Sequence, residues 1–171
     1  MAGQSFYARI AGKTKLLFGI QSSAGVADAG KIIATDATGK IDESLLPEGI
    51  GANSVSGTAS EAIAAGKFVN LWDNGGVLAL RLADNSNGRP AWGYTKETIA
   101  SAGVGTVYRL NTINANMSGL TPGAEQWLGT AGGVISVPLD PTVDTGKVDQ
   151  FLGIAQSATE LVTAEYEPIY L

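Results

Sequence analysis

Few side chains in this sequence are equipped for chemistry. The acidic residues offer three close pairs: Asp42 with Glu43, Asp140 with Asp144, and Glu165 with Glu167. Two carboxyls held several ångströms apart in a cleft are what glycoside hydrolysis needs. The chain has no histidine and no cysteine. That removes the commonest general base, every histidine-containing triad, and all disulfide or thiolate chemistry. Nothing in the sequence brings two carboxyls to one place. Asp42 and Glu43 read as the start of a helical turn, Asp140 and Asp144 fall in a proline-bearing loop, and Glu165 and Glu167 alternate along a terminal strand. No catalytic residue is assigned, and the chain is expected not to be an enzyme.

Two stretches carry oxygen donors at alternate positions: Asp84-Asn85-Ser86-Asn87-Gly88, and the run from Asp36 to Asp42. Neither completes a twelve-residue calcium loop with its closing Glu, and Asx-Gly runs are also ordinary turn material. No Gly-x4-Gly-Lys-Ser/Thr run exists to cradle phosphate, and Gly103-Val104-Gly105 lacks the third glycine. No metal site and no cofactor are therefore assigned. The aromatics Trp72, Trp92, Trp127, Tyr94, Tyr108, Tyr166 and Tyr170 could stack on sugar rings. Each lies in or beside an expected strand, where core and subunit packing explain aromatics more often.

The elements that position these residues read as strands. The 171 residues include 23 glycines and six prolines, so turns are many and helices few. With 44% of residues hydrophobic and 16% charged, the chain can bury a substantial core. The centre of the pattern is Gly66–Leu82, two apolar runs around Asp73-Asn74-Gly75-Gly76, a sequence suited to reversing an antiparallel hairpin. Further strands are expected at 54–59, 90–95, 105–110, 125–128, 134–138, 150–156 and 167–171. Spacings of about 8 to 15 residues with Gly or Asn punctuation point to a sandwich or barrel. Ala59–Ala65 suits either two helical turns or a strand entering a turn.

The body also repeats itself. Gly66 and Gly123 are 57 residues apart, as are Gly75-Gly76-Val77 and Gly132-Gly133-Val134. Trp92-Gly93-Tyr94 parallels Leu152-Gly153-Ile154 at an offset of 60, and Val107–Leu110 parallels Pro168–Leu171 at 61. Two similar halves of short strands suit a pseudo-symmetric body in which each half covers the other's apolar face.

Residues 1–51 differ from the body at 52–171. Apolar clusters at Phe6–Ile10 and Lys15–Ile20 flank a turn at Ala11-Gly12-Lys13. A small-residue run, 22–30, follows. Lys31–Thr35 reads as a third strand and Ile41–Pro47 as a helical turn capped by Asp42. Clusters separated in this way have no core of their own and order against something else. The segment is expected to be an extended N-terminal arm docking on neighbouring subunits, through Phe6, Tyr7, Leu16, Leu17, Phe18, Ile20, Leu45 and Leu46.

The net charge of −5 and the lack of a basic patch disfavour nucleic acid as a partner. No apolar run approaches 18 residues and no signal pattern opens the chain, so no membrane partner is expected.

At this point the sequence resembles a known group. The run Asp28–Asp42 with Ser44-Leu45-Leu46-Pro47 resembles the N-terminal part of tailed-bacteriophage structural proteins. Ala65–Trp72, Arg89–Tyr94 and Ser118–Gly123 are similar to capsid decoration, or cement, proteins. Gly-Leu-Thr-Pro-Gly followed by Gly-Gly-Val and Leu-Gly-Ile-Ala also occurs in phage tail-fibre and neck proteins. The resemblance spans nearly the whole chain. It implies a small β-barrel on the outer capsid of the virion, assembled in the host cytoplasm. It further implies a homo-oligomer, most often a homotrimer, that stabilises the head by binding the major capsid protein. The alternative it leaves is a fibre or tail-tip component that binds host-surface glycans. No catalytic residues come with either.

Overall fold

The computed structural model describes residues 5–37, 39–42, 45–46 and 53–171. They fall into two compact units, Met1–Asn53 and Ser54–Leu171. Among the described residues there is no α-helix, and none of the short 3-10 turns is long enough to cross a membrane. The fold is all-β, as the strand pattern predicts.

In the first unit, β1 (Ser5–Ile10) and β2 (Lys13–Phe18) form an antiparallel hairpin with Tyr7 opposite Leu16 and Ser5 opposite Phe18. The expected third strand, Lys31–Thr35, is reduced to one parallel bridge. There Ile20 N–H donates to Ile32 O at 2.9 Å and Ala34 N–H donates to Ile20 O at 2.8 Å. The small-residue run between them is not featureless: Gly25–Asp28 makes a 3-10 turn, with Asp28 accepting from Ala24 N–H and from Lys31. Of the expected turn at 41–47, Leu45 N–H donates to Asp42 O at 3.0 Å. Glu43, Ser44 and Pro47 lie outside the described residues.

In the second unit, β3 (Ser54–Ala59), β4 (Phe68–Asp73), β5 (Leu78–Leu82), β6 (Gly93–Thr95) and β7 (Val104–Arg109) close a barrel. Its pairings are antiparallel except where β3 and β5 run parallel through Thr58 opposite Ala79 and Ala59 opposite Leu80. That parallel closure is not in the hairpin reading, which pairs neighbours in sequence. Ala59–Ala65 is not helical; Ile63 leaves β3 to bridge Ile99, with N–H to O bonds of 2.9 and 2.8 Å in the two directions. Next come β8 (Ile113–Asn114), β9 (Glu125–Leu128), β10 (Val134–Ile135), β12 (Phe151–Ala155) and β13 (Leu161–Thr163), in an open sheet ordered β10-β9-β12-β13-β8. A separate ribbon pairs β11 (Val148–Asp149) with β14 (Ile169–Tyr170).

The repeat is present as topology. The barrel order β5-β4-β6-β7-β3 and the sheet order β10-β9-β12-β13-β8 correspond strand for strand. Gly93 sits opposite Val69 and Arg109, while Gly153 sits opposite Gln126 and Thr163. Gly66 N–H donates to Thr95 O at 2.7 Å, and Gly123 N–H donates to Ala155 O at 2.8 Å. Two of the expected correspondences shift. The partner of β7 is β13, not Pro168–Leu171, because the second half replaces a long loop with a tight turn between Ala155 and Leu161. The second hairpin is three residues shorter: Leu71 faces Leu80, but its equivalent Leu128 faces Val134. Gly132 is thereby freed to join the halves, taking a bond from Phe68 N–H at 3.0 Å and giving one to Ala83 O at 2.6 Å.

Alternation along the strands builds two cores. Val69, Leu80, Val107, Ala59, Ile63 and Ile99 fill the barrel. Phe68 and Tyr94 point the other way and meet Leu128, Leu152, Ala155 and Leu161 of the second sheet. Each fully buried large side chain contributes about 1.5–3 kcal/mol. The seam between halves is therefore part of the core.

Candidate functional site

Of the acidic pairs, Glu165 and Glu167 line one cleft, while Asp140 and Asp144 belong to a separate loop. Asp140 accepts from Thr142 at its N–H and Oγ1, at 2.8 and 2.6 Å, and these bonds hold its carboxyl below the usual range. Asp144 is held low by Lys147 at 2.6 Å and by the Asp140 N–H. Both are ionised loop organisers. Glu165 accepts from Arg109 Nη2 at 2.6 Å and from Asn111 Nδ2 at 3.3 Å, and the Arg109 guanidinium is pushed up by that bond. Glu167 is exposed.

Asp84 turns out to be a junction. It caps the 3-10 turn Asn85–Asn87, accepting from Ser86 N–H at 2.9 Å and from Ala131 N–H at 3.0 Å. Burial opposes its ionisation, but the bonds from Ser86 and Ala131 outweigh burial and lower its pKa. Asn85 is buried and donates to Leu128 O at 2.8 Å. The Asp84–Gly88 stretch thus spends its donors tying the halves together. Among the described residues, no group of three or more acidic side chains is placed to hold a metal.

The aromatics divide by environment. Tyr94 is fully buried, edge-on to Phe68 at 6.3 Å, with its hydroxyl donating to Ile113 O at 2.7 Å. Trp72 carries Arg81 at 4.9 Å and Trp92 carries Arg109 at 5.8 Å. Trp127, Phe151 and Tyr166 form an edge-to-face chain at 5.5 and 5.2 Å. Trp92 and Tyr166 line a cleft of about 490 Å³ with Asn70, Asn111, Gln150, Glu165 and Glu167. Part of its polar lining is engaged: Gln150 bonds both the N–H and the C=O of Ala91, at 2.7 and 2.9 Å, and Asn70 bonds Arg81 and Pro90.

The eight residues assigned to docking are distributed as follows. Tyr7, Leu16 and Phe18 share one face of the β1–β2 hairpin with Arg9, and Tyr7 and Phe18 are 76% and 60% exposed. Phe6 and Leu17 face each other on the opposite side and are half-buried. Ile20 is half-buried at its bridge to Ile33. Leu45 and Leu46 are half-buried. The hairpin brings the first five together, while Ile20, Leu45 and Leu46 lie elsewhere in the unit. A lone two-stranded ribbon is marginal in water, and this one exposes three large apolar side chains on one face.

Sequence reasoning expected the strand at 167–171 but not its pairing with Val148–Asp149 into a second ribbon. In β11–β14, Val148 is fully buried, but Ile169 and Tyr170 are 61% and 66% exposed.

No family model and no curated protein matches the sequence. Among solved structures, the chain is similar to the head fiber gp8.5 N base of bacteriophage phi29, with 14% sequence identity and a TM-score of 0.45, over 67% of this chain and 95% of that one.

Proposed function

We propose that this protein is a non-catalytic structural component of a tailed-phage virion. In this reading it decorates the outer capsid as a homo-oligomer, a trimer by the family resemblance, and stabilises the head by non-covalent contact with the major capsid protein. The observation that carries the reading is the hairpin face Tyr7/Leu16/Phe18, exposed on a segment that has little core of its own. Asp140 and Asp144 are committed to their loop, and Glu165, which lines a cleft with Glu167, is tied to Arg109. A duplicated all-β body with a sticky ribbon is a part for assembly, gaining affinity from many weak contacts. The motif resemblance supports a virion role over other assemblies.

The test is saturable binding to empty capsids of the phage whose genome carries the gene. Full-length protein binds and raises the capsid's resistance to heat or chelation. A variant lacking residues 1–50 keeps its β-sheet circular-dichroism signature but loses binding. Equal occupancy by the truncated protein would remove the arm from the account. The glycan-binding alternative is favoured by one feature, the Trp92–Tyr166 cleft, and a glycan array reads it in the same preparation.

A further inference from the structure

Asparagine followed by glycine occurs twice, at Asn74-Gly75 and Asn87-Gly88. In such a pair the glycine amide nitrogen can reach the asparagine side-chain carbonyl carbon, because the glycine has no Cβ to obstruct the approach. The structure separates the two pairs. Asn74-Gly75-Gly76-Val77 is the exposed turn between β4 and β5. Asn74 N–H donates to Val77 O at 2.9 Å, and Gly76 N–H donates to Asp73 Oδ1 at 2.6 Å. These bonds hold the ends of the turn and omit the two groups that would react. Among the described residues, neither the Gly75 N–H nor the Asn74 side-chain amide has a hydrogen-bond partner. A Cβ on Gly75 or Gly76 would meet no atom of the described residues within 4 Å, so the turn has room to change. Asn87 is restrained. It ends the 3-10 turn Asn85–Asn87, whose flanking residues Asp84 and Arg89 bond each other's backbone in both directions, at 2.8 and 3.2 Å. Asp84 also accepts from Ser86 N–H, and Asn85 donates to Leu128 O, which fastens this turn to the second half.

We propose that Asn74 is a site of spontaneous covalent modification, at which the asparagine becomes aspartate and isoaspartate. The Gly75 amide nitrogen, its proton passed to a base in the solvent, attacks Asn74 Cγ. The N–Cγ bond forms, the Cγ–Nδ2 bond breaks and ammonia leaves, which closes a cyclic imide. Water then opens the imide. Cleavage of its bond to Cγ gives aspartate. Cleavage of its bond to the original backbone carbonyl gives isoaspartate, whose main chain runs through the side chain. The sum is one water consumed and one ammonia released, with nothing oxidised or reduced. Either product places a carboxylate beside Asp73, one negative charge beyond the net −5 of the sequence. The change falls in the turn, outside the β4–β5 pairing in which Leu71 faces Leu80 and Asp73 faces Leu78, and it touches neither core. The site is independent of the capsid reading.

Incubation of the full-length protein in mildly alkaline buffer, followed by peptide mapping with mass spectrometry, tests the proposal. Circular dichroism verifies that the incubated protein stays folded, and enzymatic methylation of the free α-carboxyl separates isoaspartate from aspartate. Conversion at Asn74 is expected to outpace conversion at Asn87 about tenfold, a barrier difference of about 1.4 kcal/mol. In concentrated urea both turns lose their restraints and the two rates converge, which marks the difference as structural. Asn74→Gln abolishes the reaction at that position, since the longer side chain closes the ring poorly, and leaves the rate at Asn87 as it was. Asn74→Asp, which carries the new charge from the start, keeps the parent's urea midpoint. No conversion at Asn74 in the folded protein, or conversion at Asn87 that keeps pace with it there, overturns the inference. So does a lowered midpoint in Asn74→Asp, which would mean that the turn cannot absorb the change. Capsids are absent from the assay, so its result and the virion reading stand or fall separately.

Discussion

Gly93 and Gly153 occupy equivalent places in the two halves, and both are there because another strand passes too close for a side chain. A Cβ on Gly93 would sit 2.2 Å from Tyr108 O, and one on Gly153 would sit 2.0 Å from Val162 O. Backbone cannot yield as a flexible side chain can. Gly93→Ala and Gly153→Ala are each expected to destabilise the fold by about 2–4 kcal/mol, within the range for overpacking compounded by backbone shifts, measured by urea unfolding. Gln150→Ala leaves the buried N–H and C=O of Ala91 unpaired and costs about 2 kcal/mol or more by the same measurement. Asp84 contributes to the acid limit, alongside Asp28, Asp140 and Asp144, which are also held low. Its folded pKa lies below the ordinary value of 3.8, so its contribution is complete above that value and is lost as pH falls through the folded one. Stability is expected to be flat from neutral pH to about 4 and to drop below. Asp84→Asn should be less stable at neutral pH and show a shallower acid decline. Unchanged pH dependence in this variant would deny Asp84 its role at the junction.

At the scale of elements, strands with strong alternation were legible and the weak ones were not. Ser54–Ala59 and Glu125–Leu128 lie where their composition places them. Ile113–Asn114, Val148–Asp149 and Leu161–Thr163 were missed, because two or three residues carry no readable period. The parallel closure of β3 on β5 was hidden for another reason. It joins strands separated by β4, and nothing in Ser54–Ala59 announces a parallel neighbour. The repeat was legible through Gly66 and Gly123, whose turns need the same backbone bonds in both halves. Its last offset misled, because Pro168–Leu171 imitates Val107–Leu110 in composition but pairs with β11. The β1–β2 hairpin was legible as apolar clusters around a turn. The committed states of Asp84, Asp140 and Glu165 were not, since their partners lie in loops whose course only the fold decides. At this scale the hairpin makes its own prediction. Leu16→Ser leaves the unfolding midpoint of the body unchanged, because Leu16 is exposed and the hairpin lies outside both body cores, yet it weakens assembly. A lowered body midpoint would mean the hairpin is part of the body's core.

Taken whole, the molecule has invested in one thing, a rigid duplicated body whose two halves share a core through Phe68, Tyr94, Leu128 and Leu152. The β1–β2 and β11–β14 ribbons leave large apolar side chains exposed, among them Tyr7, Phe18, Ile169 and Tyr170. In the proposed reading such a molecule acts by attachment, through occupancy of a site on a larger assembly. Exposed apolar ribbons are also a liability for a free chain, so the isolated protein is expected to self-associate rather than remain a monomer. The most direct measurement is quantitative binding to empty phage capsids of full-length protein and of the variant lacking residues 1–50, both verified as folded. The account predicts saturable binding by the first and none by the second. Equal saturation by both, or no binding by the full-length protein, would contradict it.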